Sequence, residues 1–435
     1  MKEKSILVIL LFLFSSVGIA QQVNSVFVDS GWAGNSVNTV VFRKNALVTH
    51  EQQQYISFYA NDGAVMIGKR TLGSSQWQLV KTGFKGRVND AHNSISLMVD
   101  GDGFLHLSWD HHNNPLRYAK STAPGSLTFT AAQPMTGQLE NNVTYPEFYR
   151  MPTGDLLFFY RDGQSGQGNL VINRYLLNEK KWIQLHNNLI SGEQQRNAYW
   201  QAFVDARGVI HLSWVWRETF DVASNHDLCY AKSTDGGSSW ITSSNQPYQL
   251  PITASTAEYV ARIPQKSELI NQTSMTVSAD GIPFIAGYWR TANDPVPQYQ
   301  VVYQTAAGWK TMNTGFRKTA FSLSGGGTKR IPIARPQVVV YGTGKKTAVL
   351  LLYRDEERGS KVSAAFCKNI RKNKWQLTDY THYSVGSWEP LFDTELWKQK
   401  HQLHLFVQYT EQADAEGASL LPAQPVTVLE LTFKK

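Results

Sequence analysis

Asp100-Gly101-Asp102-Gly103-Phe104-Leu105-His106-Leu107-Ser108-Trp109 is a tight turn followed by a strand of alternating side chains. Asp and Gly supply the turn, because one bonds its own backbone and the other accepts positive φ. The strand that follows alternates in the period of two that half-buries a β-strand. The unit recurs along the chain, with strands beginning near Tyr55, Leu105, Leu156, Ile210, Ile285, Val349 and Leu403. Further turns of this kind are Pro152-Thr153-Gly154-Asp155, Asp205-Ala206-Arg207-Gly208, Ala279-Asp280-Gly281 and Gly342-Thr343-Gly344. Repeats fifty to seventy-five residues apart are the spacing of four-stranded propeller blades with insertions.

A second repeat marks the outer part of the blades. Ser233-Thr234-Asp235-Gly236-Gly237-Ser238-Ser239-Trp240 is an Asp-box, and degenerate copies end at Trp77, Trp182, Trp309 and Trp375. Its Asp and Ser bond the turn's own backbone while the Trp packs between strands, so these residues read as structural. Tyr118-Ala119-Lys120-Ser121 and Tyr230-Ala231-Lys232-Ser233 repeat the strand that leads into such a turn. After the first twenty residues the chain shows no amphipathic helix and no low-complexity linker. The expectation is an all-β seven-bladed β-propeller forming a single domain over residues 21–435. Closing the ring removes most of the edge-strand liability of a long all-β chain.

Residues 1–20 read as a secretory signal: Lys2 and Lys4, an apolar run from Ile6 to Phe14, and Gly18-Ile19-Ala20 before Gln21. The run is short for a bilayer span, so the expected location is secreted or periplasmic, with no membrane association. Two cysteines, Cys229 and Cys367, make no disulfide framework and read as buried thiols. The net charge is +8, and cleavage would remove Lys2, Glu3 and Lys4, a net loss of one positive charge. A basic exported protein favours a polyanionic partner. No basic run or recognition-helix pattern points to nucleic acid, which leaves an acidic polysaccharide or oligosaccharide.

Asp90-Ala91-His92-Asn93 and Asp110-His111-His112-Asn113 flank the opening turn and strand, so His92 and His112 are expected at one rim of a blade. Tyr145, in Val143-Thr144-Tyr145-Pro146-Glu147-Phe148, and Arg161, in Phe158-Phe159-Tyr160-Arg161-Asp162-Gly163, bracket the next turn in the same way. Tyr199, in Arg196-Asn197-Ala198-Tyr199-Trp200-Gln201, precedes the one after. Equivalent positions of successive blades converge around a propeller axis, so these five side chains are expected in one pocket. The set suits elimination at a 4-linked uronate. An Arg bonded to the carboxylate stabilises the enolate-like charge, and His or Tyr groups move the protons. Arg161 is the neutraliser in this scheme, His92 and Tyr145 are base and acid in an order left open, and His112 assists. Tyr199 and Asn93 are expected to bind the sugar.

Other residues read as bystanders. His106 and His211 follow apolar residues inside strands, and only one of His111 and His112 can face the pocket. His226 and Cys229 have the spacing of half a zinc site, with no second pair to complete it. Glu147, Glu218, Asp221 and Glu389 are the carboxylates available to a glycosidase, but none sits in a pattern that pairs them.

Together the Asp-box, the two His motifs, Thr144-Tyr145-Pro146-Glu147-Phe148 and Tyr160-Arg161-Asp162-Gly163 resemble a group of secreted seven-bladed propeller enzymes. The group comprises propeller-type ulvan lyases, L-rhamnose-α-1,4-D-glucuronate lyases and a related α-L-rhamnosidase family. The resemblance implies β-elimination at a rhamnosyl-glucuronate linkage of ulvan or arabinogalactan side chains. His92, His112, Tyr145, Arg161 and, less directly, Tyr199 match the lyase site on the anterior face. The rhamnosidase branch uses a His on the posterior face, where His50 corresponds, and Arg335 is expected to bind glucuronate there. A propeller that binds carbohydrate without catalysis is the third alternative. The resemblance implies no required cofactor, and leaves room for a structural calcium or zinc ion.

Overall fold

The computed structural model describes residues 22–433; the expected signal segment lies outside the described residues. Seven antiparallel sheets follow one another along the chain. Blade 1 is Leu47–His50, Gln53–Tyr59, Ala64–Thr71 and Gln78–Lys85, and blade 2 is Ile95–Val99, Leu105–Trp109 and Tyr118–Lys120. Blade 3 is Val143–Arg150, Leu156–Asp162, Asn169–Leu176 and Lys181–Ile190, with His112–Asn114 added at its inner edge. Blade 4 is Asn197–Val204, Ile210–Arg217, Asn225–Ser233 and Glu258–Ala261. Blade 5 is Ser274–Val277, Pro283–Trp289, Gln298–Thr305 and Gly308–Asn313; blade 6 is Gln337–Tyr341, Ala348–Tyr353, Ser363–Cys367 and Gln376–Asp379. The predicted strand of each repeat is the second of its sheet in blades 1 to 6.

Blade 7 joins the two ends of the chain. Gln22–Gly31 pairs with Gln424–Thr432, which pairs with Leu403–Gln408. This closes the ring through backbone hydrogen bonds and leaves no open sheet between first and last blades. The predicted repeat strand at Leu403 falls here, and Phe392 bridges Leu405 on its inner side.

The core lies between neighbouring blades, where apolar faces such as Val48, Leu97, Leu107, Phe148 and Phe158 pack together. The Asp-box behaves as read. Ser233 Oγ donates to Asp235 at 2.7 Å, Ser239 N donates to the same carboxylate at 3.0 Å, and Trp240 is buried. Cys229 and Cys367 are both free and buried. One feature was not anticipated, a seven-residue helix at Thr394–Lys400. It is too short to show helical periodicity, and Asp393 fixes its start by accepting from Leu396 N at 2.9 Å. Burial raises the Asp393 carboxyl to about 6 despite bonds from Thr49 and Gln54.

Candidate active site

Each inner strand starts on one face of the ring and ends on the other. Blade 2 shows the consequence. Ile95 pairs with Trp109 across its hairpin, so the segments before and after it leave at the same rim. His92 lies in the first segment and His112 in the second. Asp110 (φ 62) and Asn113 (φ 57) take left-handed backbone there, a conformation Asn and Asp tolerate better than most residues. The resulting turn lets His112 pair with Thr144 of blade 3, which fixes its backbone at the rim.

Asp90 bridges the two imidazoles. Its carboxylate lies 3.0 Å from His92 Nδ1 and 2.6 Å from His112 Nδ1. The rings stack with centroids 4.1 Å apart, and Phe42 stacks on His92 at 5.3 Å. Glu416 adds a second carboxylate 3.3 Å from His92 Nδ1. Burial disfavours the His92 cation, but Asp90 and Glu416 outweigh it and raise His92 to about 9. Burial works against Asp90 as well, yet its bonds to both histidines hold it far below the usual carboxylate range.

Beside the histidines, with the Tyr145 ring 5.9 Å from that of His92, stands a tyrosine pair between two arginines. Tyr145 occupies a bulge between Thr144 and Glu147 and is held at φ 57. A left-handed aromatic residue is strained backbone of the kind that concentrates at functional sites. Its ring lies 5.7 Å from that of Tyr199, with the Arg161 guanidinium 5.0 Å from its face. Arg161 is 2 % exposed; its Nε donates to Gly163 O at 3.2 Å, and its Nη1 has no protein partner. Arg217 lies 5.7 Å from the Tyr199 ring. Burial opposes ionisation of Tyr199, but the charges of Arg217 and Arg161 prevail and bring it to about 7. Tyr145 moves the other way, raised by burial and by its neighbour Tyr199.

His92, His112, Tyr145, Arg161 and Tyr199 all line a single cavity of about 300 Å³ at the anterior end of the axis. Arg217 and Arg354 line it too, and sequence reasoning missed both. A signal was present: Tyr160-Arg161-Asp162, Trp216-Arg217-Glu218 and Tyr353-Arg354-Asp355 repeat an aromatic–Arg–acidic triplet where second strands end. The charges are apportioned differently among the three. Arg354 donates to Ile331 O at 2.9 Å and Trp388 O at 3.3 Å, and Arg217 donates to the carbonyls of Thr219 and Phe220.

Two expected contacts move. Arg335, expected on the posterior face, precedes an inner strand and therefore lies on the anterior side, where it lines the cavity. Its guanidinium is held by Glu389 at 2.8 and 2.6 Å and lies 4.7 Å from the Phe42 ring. Asn93 does not reach the cavity. It is buried, its Nδ2 donates to Arg87 O at 2.9 Å, and its carbonyl accepts from Tyr59 Oη at 2.7 Å. Next to His92 in sequence, it faces the other way because neighbouring side chains diverge.

His50 ends the inner strand of blade 1, on the opposite face, and its Nδ1 lies 3.0 Å from Arg150 Nη1. Burial and that guanidinium lower its pKa. His111 is buried, with Nε2 accepting from Arg117 N at 2.8 Å, so His112 alone of the two faces the cavity. His226 is bonded to Glu218 at 2.8 Å and Asp227 at 3.1 Å, an arrangement that does not include Cys229.

Among the described residues, Asp90, His92 and His112 have metal-ligand spacing, one ligand atom each within 4.8 Å. They fit a hydrogen-bonded pair better than a metal centre. Both Nδ1 atoms are directed at the one carboxylate, so a cation would have to displace the bonds that orient the rings.

Fold and site together define a seven-bladed propeller with a charged pocket at one end of its axis. The chain belongs to the BNR repeat-containing family, which it matches over residues 53–316. It is 22% identical to an ulvan lyase, long isoform, of Alteromonas sp over 328 residues, 60% of this chain and 33% of that protein. The corresponding protein of Pseudoalteromonas sp. (strain PLSV) is 21% identical over 327 residues, with the same shares of each chain. The chain thus spans about a third of the length of these curated relatives. Among solved structures, the polysaccharide lyase Uly1 superposes with a TM-score of 0.68 at 16% identity, over 95% of this chain and 100% of that one. A PL25 ulvan lyase bound to -[GlcA(1-4)Rha3S]- gives 0.63 at 13% identity, over 95% and 94%. At these identities the agreement is one of fold.

Proposed function

We propose that this protein is a polysaccharide lyase that cleaves an acidic polysaccharide at a rhamnosyl-(1→4)-glucuronate linkage by β-elimination. The observation that carries the reading is the buried Nη1 of Arg161, left without a protein partner beside the Tyr145–Tyr199 pair. A buried guanidinium N–H is costly to leave unpaired, and a uronate carboxylate satisfies it with a charge-assisted bond.

The rest of the site then falls into roles. With its carboxylate on Arg161, the uronate presents its C5 proton to the tyrosine pair. Tyr199, brought to about 7, is substantially ionised near neutral pH and accepts that proton, directly or through Tyr145. The electron pair released at C5 forms the C4–C5 double bond as the C4–O bond breaks. His92, protonated up to about pH 9, supplies the proton the leaving oxygen needs, with His112 stacked behind it. Arg161 and Arg217 stabilise the charge that develops on the carboxylate. Names of the sequence relatives and of the solved structures with this fold support the class of reaction.

Absorbance of unsaturated uronate, followed with purified protein on ulvan and on gum arabic, tests the proposal. Rising absorbance supports elimination. Release of free rhamnose with flat absorbance means hydrolysis and transfers the chemistry to another site, and binding without turnover means a lectin.

A further inference from the structure

The rim of the anterior cavity is unequal around its circumference. Three loops from different blades are tied to one another. Gly325 N donates to Asp221 Oδ1 at 2.7 Å, and Val222 N donates to Gly325 O at 2.9 Å. These bonds join the loop after the second strand of blade 4 to the loop before blade 6. That loop is tied in turn to the segment around residue 415 in blade 7. Thr328 N and Oγ1 each donate to Glu416 Oε1 at 3.1 Å, and Arg330 N donates to Asp414 Oδ1 at 2.9 Å. Gly327 lies at φ 72 with Ala415 Cα only 3.0 Å from where a Cβ would stand, so the two loops meet backbone to backbone. The chain of bonds ends in blade 1, where Asn35 Nδ2 donates to Gly417 O at 3.1 Å and to Val88 O at 2.8 Å.

This bridged arc is also the cavity's wall: Phe220, Gly326, Gly327, Thr328, Lys329 and Glu416 line it. The rest of the rim includes His112, whose side chain is 31% exposed, and the segment carrying Ser165. No loop-to-loop bond spans the gap between those two among the described residues.

A polymer crossing the anterior face needs two open sides, and here one is shut. We propose that the 325–330 and 414–417 bridge receives a chain terminus, so that the enzyme releases units from the end of the acidic polysaccharide instead of cutting within it. Substrate approaches over His112 and Ser165, and its last sugar stops against Thr328 and Glu416. The small cavity volume agrees, lying at the low end for ligand pockets. Glu416 then has two functions, holding the wall and bonding His92, which couples occupancy of the end site to the proton donor.

The inference rests on the lyase reading, and the experiment separates the two. Viscosity of a rhamnosyl-glucuronate polymer and absorbance of the unsaturated uronate are followed together, with chromatography of the products. The expected result is absorbance that climbs while viscosity holds, with products of one small size from the first time point. Early collapse of viscosity and a ladder of sizes would overturn the end-acting proposal and leave the lyase intact. No cleavage of any substrate would overturn the lyase reading and the inference with it. The double variant Thr328→Ala/Asp414→Ala removes the Thr328 Oγ1–Glu416 and Arg330 N–Asp414 bonds, loosening the bridge, and should shift products towards mixed sizes; unchanged single-size products would sink the role given to these loops. Should that variant fail to fold, the wild-type profile decides alone.

Discussion

Two kinds of histidine in this propeller sit beside an aspartate, and they differ in what is left over. His106 is buried inside blade 2, with Asp100 Oδ2 3.1 Å from its Nε2 and Tyr118 Oη 2.8 Å from its Nδ1. His211 in blade 4 shares half of that arrangement: Tyr230 Oη lies 2.7 Å from Nδ1, but Asp205 stands 3.8 Å from Nε2, beyond hydrogen-bond reach, so of these two His106 alone is doubly bonded. Burial lowers the pKa of both against the pull of their aspartates. His92 and His112 share Asp90 on their Nδ1 side only, and line the cavity. A histidine with both ring nitrogens occupied is a strut. One with a single nitrogen fixed and the other free is oriented for proton transfer. The aspartate alone therefore says little; the number of partners decides.

The largest expected effect lies with the group that answers the histidines in the same pocket. Arg161→Ala should lower kcat by roughly 10²–10³, the cost of losing one preorganised donor to a developing anion. Arg161→Lys should recover little, since a point charge does not reproduce the planar fork. Steady-state kinetics on a uronate polymer measures both, and a variant within threefold of wild type would remove Arg161 from the mechanism.

The histidine contrast is sharpest when both kinds are removed. His92→Ala should cost on the order of 10² in kcat with little change in thermal stability. His106→Ala should do the reverse, leaving Asp100 and Tyr118 unpaired in the core at a cost of about 2–3 kcal/mol while folded protein keeps its turnover. Thermal denaturation alongside kinetics distinguishes them, and equal losses of stability would dissolve the contrast.

The pH profile comes next. Activity should rise as pH passes about 7, where Tyr199 loses its proton, and fall as it passes about 9, where His92 loses its own. Tyr199→Phe, which lacks the proton acceptor, should lower turnover at every pH and leave the residual activity without the lower limb. The same shift bears on stability. The folded pKa of His92 is raised above its ordinary value, so its pairing with Asp90 and Glu416 contributes fully below about pH 6.5 and is lost as pH rises through about 9. The smallest effect expected is that of Asp90→Asn, which should move the alkaline limb down towards the ordinary histidine value. An unmoved limb would mean that Asp90 does not set the charge on His92.

Much of the architecture was legible because it is local and repeated. Turn and strand chemistry at Asp100–Trp109 recurs through blades 2 to 6, and the Asp-box announces its own hydrogen bonds. Helix Thr394–Lys400 was not legible, since seven residues carry no period and its cap is one aspartate among many. Within the site, His92, His112, Tyr145, Arg161 and Tyr199 were readable from their corresponding positions. Arg217 and Arg354 shared a readable triplet that went unused. Arg335 was placed on the wrong face, and Asn93 was expected to reach a cavity from which it turns away.

Sequence by itself determined the number of blades, the structural standing of the Asp-box, and the rim on which the chemistry-bearing side chains meet. Those properties follow from alternation along a strand and from the count of residues between turns, both short-range. Only the tertiary structure decided which charges are already paired. Arg335 is held by Glu389, fifty-four residues away, whereas Arg161 keeps an N–H unpaired. It also decided that Glu416 reaches His92 across the ring and that loops of blades 4, 6 and 7 wall off one side of the cavity. Such contacts arise when ring closure brings distant segments together around the axis, and no periodicity in the chain encodes which of them will touch.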